Sequence, residues 1–137
     1  MTNVLIAVVL GAVALGAAWI INRKKPRASA VVDHHVPTRV DRADFARPEA
    51  PVLVVVFTSA TCATCAAMLA TAGDAASDAV VVEEAEATTR ADVHERYQID
   101  AVPIAVVVDP NGVVRASFAG SMSAADLSAA IDQVSTR

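Results

Sequence analysis

Aromatic residues make up only 4% of this 137-residue chain, so its core has to be built from aliphatic side chains. Cysteine occurs twice, as Cys62 and Cys65, which leaves no second pair to complete a four-thiolate zinc site. The three histidines, His34, His35 and His94, do not stand at a metal-ligand spacing. His34 and His35 read as solvated linker imidazoles and His94 as a solvated helix residue. No internal repeat is visible. No basic stripe runs through the body of the chain either. From Ala28 onward there are seven basic and fifteen acidic residues, a balance of −8 within a chain whose net charge is −4. That balance excludes nucleic acid as a partner class.

Hydrophobic residues nevertheless reach 55%, and part of the excess sits at the N-terminus. Val4 to Ile21, VLIAVVLGAVALGAAWII, carries no charge. As a helix its 18 residues would be about 27 Å long, close to the hydrocarbon thickness of a bilayer. Trp19 stands near one end, where an interfacial indole is favoured. A cleaved signal peptide is the rival reading, but the start MTN has no basic residue and the apolar run is long for one. Arg23, Lys24, Lys25 and Arg27 all lie on the C-terminal side of the run. The positive-inside rule then puts the C-terminal part of the chain in the cytoplasm, with an extracytoplasmic domain as the alternative. The resulting organisation is a single-pass membrane anchor at 1–22, a basic and polar tether at 23–35 and a folded domain at 36–137.

Within the domain, VPTRV is expected as a short edge strand. DRADFARPEA is expected as a short helix ending before Pro48. Six apolar residues from Val52 to Phe57 read as a strand buried on both faces. A helix is expected over Cys62 to about Ala76, with Thr61 as N-cap and Cys65, Met68, Leu69 and Ala72 as its inward stripe. AVVVEEAEA forms the next strand, its Glu83, Glu84 and Glu86 a solvated end. Thr89 to Tyr97 forms a helix, opened by a capping box of Thr89 and Asp92. Val106 to Asp109, a turn at Pro110-Asn111-Gly112 and VVRASF make a hairpin. The last helix starts at Ser123 with Asp126 and turns Leu127, Ala130, Ile131 and Val134 inward. Strands joined by helices should be parallel and the hairpin antiparallel, in a mixed sheet with helices on both faces.

The two cysteines then fall where a buried strand gives way to a helix. Free N–H groups and the helix dipole favour an anion there, so Cys62 is expected in the helix's first turn as the attacking thiolate. Cys65, one turn on and facing inward, is placed to resolve a mixed disulfide held by Cys62. A soft-metal site completed by another chain, or a gated adaptor module, remains as an alternative. Ala101-Val102-Pro103-Ile104 places a proline just ahead of the third strand.

A strand, Cys-x-x-Cys opening a helix, a Val-Pro some forty residues on, a hairpin and a last helix together resemble the thioredoxin superfamily. The resemblance covers about Val36 to Val134. It implies an α/β thioredoxin-like fold, here with one N-terminal transmembrane helix, as in membrane-tethered thioredoxin-like proteins of bacteria. It implies a protein-disulfide reductase with Cys62 as nucleophile, Cys65 as resolving cysteine and Pro103 as a cis-proline facing them. The backbone of Val102 would pair with substrate, and Thr61 stands where the family carries a substrate-docking Trp. The implied partners are protein thiols and disulfides, an electron donor and the membrane. No cofactor is implied beyond a redox-active Cys62–Cys65 disulfide. Two departures stand out: Ala63-Thr64 replaces the usual Gly-Pro, and the family's buried acid, six residues before the first cysteine, is Val56 here.

Overall fold

A computed structural model of the chain describes Met1 and residues 34–137. The apolar run and nearly all of the tether therefore lie outside the described residues, and among the described residues no helix is long and apolar enough to cross a membrane.

Four strands carry the domain: β1 (Val52–Thr58), β2 (Val80–Glu86), β3 (Ile104–Val108) and β4 (Val114–Ala119). Three α-helices accompany them: α1 (Cys65–Asp74), α2 (Ala91–Arg96) and α3 (Ala124–Ser135). The strands form one mixed sheet in the order β2-β1-β3-β4. Every residue of β1 is buried, as its unbroken apolar run predicts for a central strand. Each such side chain contributes on the order of 1.5–3 kcal/mol of burial. Val52, Val54 and Val56 face a layer built from Met68 and Ala72 of α1 and Leu127, Ala130 and Val134 of α3. Leu53, Val55 and Phe57 face the opposite layer, made by Val93 of α2 and Tyr97 just after it together with Val40, Phe45 and Ala50. Helices thus cover both faces, and the core is aliphatic apart from Phe45, Phe57 and Tyr97.

Strands β1 and β2 are parallel and β3 and β4 antiparallel, as the connections predict. The third strand departs from expectation. Although α2 joins it to β2, β3 runs antiparallel to β1, with Ile104 beside Phe57 and Val108 beside Leu53. The connection leaves and re-enters at one edge of the sheet, with Glu86 beside Thr58 and Ile104 beside Phe57. That edge also carries the end of β1, and so the cysteine loop.

The segment ahead of β1 is less regular than its sequence suggests. VPTRV makes a single antiparallel bridge, Arg39 to Val113, instead of a strand. DRADFARPEA gives only a 3-10 turn, Arg42–Asp44, capped by the Asp41 carboxylate on the Ala43 amide. Arg42 draws this segment inward instead. Its guanidinium is buried and donates to the carbonyls of Asp109 and Ala50 at 2.9 and 2.8 Å. Of the expected caps, Ser123 accepts from the Asp126 amide at the start of α3. Arg90, not Thr89, caps α2, and no side chain supplies the hydrogen bond.

Candidate active site

The site forms at the sheet edge where β1 and β2 end and β3 begins. After Thr58 the chain makes a tight turn, in which the Cys62 amide donates to the Ser59 carbonyl at 3.2 Å. This turn consumes the Cys62 N–H, and regular helix begins only at Cys65. Cys62 therefore precedes the helix by three residues and does not lie in its first turn. The N-cap is Thr64, not Thr61, and its hydroxyl makes no capping bond. The Thr64 hydroxyl instead lies 3.9 Å from the Cys62 sulfur.

Cys62 and Cys65 are joined in a disulfide, with Cα atoms 5.5 Å apart. Cys62 is partly exposed, while Cys65 is 5% exposed at the head of the stripe that Met68 and Ala72 continue. Because its sulfur is bonded to that of Cys65, Cys62 still presents its reactive atom at the N-terminal end of α1. One sulfur of the pair can be reached from solvent and the other is sheltered, which is the asymmetry that thiol exchange requires.

The Val102–Pro103 bond, which is cis, reaches the same edge from the other side, one residue before β3. Pro103 is buried and its carbonyl accepts from the Gly120 amide at 3.0 Å. Val102 is half-buried, and among the described residues its amide and carbonyl make no hydrogen bond. Thr61 is exposed in the turn ahead of Cys62. The topology thus brings Thr61, Cys62, Cys65, Val102 and Pro103 to one edge of the sheet.

His34 and His35 do not join them. His35 is exposed and its amide donates to Asp100. His94 is not a solvated surface residue as expected: its ring is half-buried, edge-on to Phe57 at 5.5 Å, with Nε2 2.7 Å from the Ala85 carbonyl oxygen. Among the described residues no cluster of three or more His, Cys, Asp or Glu stands at metal-binding geometry.

The acids of β2 are also more engaged than a solvated strand end. Glu83 accepts from Arg90 and from the Ala46 amide, both at 2.7 Å. Glu84 accepts at 2.6 Å from the hydroxyl of Thr58, which is 1% exposed. Glu86 accepts from the Thr88 and Thr89 amides at 2.9 and 3.0 Å. Those amides, Thr89 first, hold its carboxyl below the usual carboxylate range. Sequence reasoning passed over Thr58 and, though Glu83, Glu84 and Glu86 are candidate bases for Cys65, favoured a solvated strand end for them. The signal that finds them is strand periodicity: Val56 pairs with Glu84 and Thr58 with Glu86, which puts both acids on the face that α1 covers.

Comparison with known proteins agrees with the fold. The family model described as "Thioredoxin-like domain" matches residues 40–135. Among solved structures, a chloroplastic thioredoxin z superposes with a TM-score of 0.55 at 16% identity, over 64% of this chain and 80% of that one. A malarial protein superposes with a TM-score of 0.52 at 18% identity, over 61% of this chain and 96% of that one. At these identities the likeness is one of fold. No curated protein matches the chain.

Proposed function

The chain belongs to the thioredoxin-like family, and from that premise we propose that it is a thiol–disulfide oxidoreductase that reduces disulfides in other proteins. The observation that carries the reading is the disulfide between a partly exposed Cys62 and a buried Cys65 at the head of α1. In the reduced chain the Cys62 thiolate attacks one sulfur of a substrate disulfide. A mixed disulfide forms, and the other substrate sulfur leaves as a thiolate that takes up a proton. Cys65 then loses its proton to water and attacks the Cys62 sulfur. The second substrate sulfur leaves, and the Cys62–Cys65 disulfide of the present structure results. Two electrons pass to the substrate, and a thiol or dithiol donor restores the pair.

Thr61, Val102 and Pro103 are the substrate-docking residues in this reading. The unpaired backbone groups of Val102 support it, since an extended substrate segment can bond to them. No cofactor enters beyond the two sulfurs. The apolar run at Val4 to Ile21 acts as a membrane anchor, and the basic cluster behind it holds the domain in the cytoplasm, where dithiols are kept reduced.

The test is insulin reduction by the full-length chain with dithiothreitol as electron source. Turnover is expected for the wild type and loss of it for Cys62→Ser. Cys65→Ser should hold substrate as a stable mixed disulfide on Cys62. A wild-type chain that binds partners or a soft metal ion without turnover would overturn the proposal in favour of an adaptor or a metal-handling protein.

A further inference from the structure

Glu86 is an acid that the exchange reaction leaves unused, and its surroundings are unusual. One carboxylate oxygen, Oε2, closes the loop after β2 by accepting from Thr88 and Thr89. The other, Oε1, has no exposed surface and no hydrogen-bond partner among the described residues. The Ala60 amide lies near enough to help keep the carboxyl ionised, though not in hydrogen-bond geometry. Ala60 is a central residue of the turn from Ser59 to Cys62. Glu86 pairs in register with Thr58, the residue that leads into this turn, so a shielded carboxylate oxygen stands beside the strand end that presents the attacking sulfur.

No salt bridge among the described residues neutralises it, and His94 of α2 turns its Nε2 to the Ala85 carbonyl. The turn from Ser59 to Thr64 has no charged side chain, and the only charge on α1 is Asp74 at its far end. On β2 the neighbour on this face is Glu84, a second acid. Arg90, in the loop after β2, is held on the opposite face by Glu83 and the Asp44 carbonyl. Neither Glu84 nor Glu86 makes a salt bridge among the described residues.

We propose that Glu86 is a positioning residue of the cysteine pair, whose half-buried negative charge stands beside the strand end that leads into the Ser59–Cys62 turn and opposes formation of the Cys62 thiolate. The thiolate exists only in the reduced chain. A charge that disfavours it favours the disulfide, so the dithiol becomes a stronger electron donor. This inference rests on the exchange reading of the pair and adds a determinant of its reducing power.

The experiment measures the rate of iodoacetamide alkylation of Cys62 against pH in the reduced full-length chain. Glu86→Gln should lower the midpoint by about half a pH unit. At a pH above that midpoint the equilibrium constant for reduction of the pair by glutathione should rise about threefold. Glu86→Asp keeps the charge and should stay nearer the wild type. A residue that merely held the loop would change stability and leave both readouts in place. A second measurement needs no variant: the Glu86 carboxyl carbon resonance should track Cys62 ionisation in the dithiol chain and stay flat over the same pH range in the disulfide chain. An unmoved midpoint in folded Glu86→Gln, or a flat resonance in both forms, overturns the proposal. Alkylation reports on Cys62 whether or not insulin is reduced, so failure of this inference is distinct from failure of the proposed function.

Discussion

Cys62 and Cys65 stand three residues apart yet meet different surroundings, and this difference sets what each sulfur can do. The turn at Ser59 lifts Cys62 out of the helix into partial exposure, while Cys65 heads a buried stripe. After gentle reduction, Cys62 should react with iodoacetamide at least about tenfold faster than Cys65 at neutral pH, as mass spectrometry of the labelled peptides can read. Comparable rates would remove the nucleophile-and-resolver assignment. Asp109 shows the same dependence on surroundings. Burial pushes its carboxyl pKa up, but the amides of Val113 and Asn111 and the Arg115 guanidinium at 2.8 Å outweigh that and hold it below its ordinary 3.8. A folded-state pKa below the unfolded one adds stability that is complete above the unfolded value and lost as pH falls through the folded value. Asp109→Asn should therefore cost about 1–3 kcal/mol at pH 7 in urea unfolding. Its stability should also fall less than the wild type's between about pH 4 and about pH 2. At this scale the sequence is legible for the cysteines, whose spacing carries their chemistry. It is mute on Glu86 and Asp109, whose roles come from amides that only the folded chain brings to them.

Among the elements, the turn between β3 and β4 joins legible sequence to illegible packing. Pro110 takes the first central position, the Gly112 amide returns to the Asp109 carbonyl at 3.0 Å, and Gly112 adopts φ +79°, as Pro-Asn-Gly predicts. The sequence does not reveal that Val40 lies against this glycine. A Cβ at position 112 would stand 2.2 Å from the Val40 carbonyl oxygen, and the Val40 amide bonds the Gly112 carbonyl at 2.8 Å. Gly112→Ala should thus combine backbone strain with undocking of residues 38–40, at about 2–4 kcal/mol in thermal or urea unfolding. A cost under about 1 kcal/mol would show that this segment yields freely. The same contrast runs through the other elements. Strand and helix interiors are readable because hydrophobic periodicity is set by the fold's own geometry. Helix starts are readable at Ser123 but not at the other two helices. Thr61 and Thr89 carry good local cap signals, yet the Ser59 turn and the Glu86 carboxylate claim the backbone there first. The direction of β3 is likewise hidden, since no residue within the strand signals that it runs antiparallel to β1.

For the whole molecule the decisive asymmetry is electrical. The part from Ala28 onward carries −8, and four basic residues stand directly behind an apolar run of 18. Acidic side chains contribute little to membrane orientation, whereas Lys and Arg flanking a span resist translocation. The domain should accordingly lie on the cytoplasmic side of a single span. In intact cells a membrane-impermeant maleimide should leave Cys62 unlabelled, and permeabilisation with mild reduction should expose it. Replacing Arg23, Lys24, Lys25 and Arg27 together by Gln removes the orienting charge and should transfer a substantial fraction of Cys62 to the labelled side. Labelling of the wild type in intact cells would reverse the assignment and alter the chemistry with it. An extracytoplasmic dithiol stands apart from the cytoplasmic reducing pool and needs a membrane partner to deliver its electrons. Orientation and reducing power are thus coupled: a donating pair is of use only where electrons reach it.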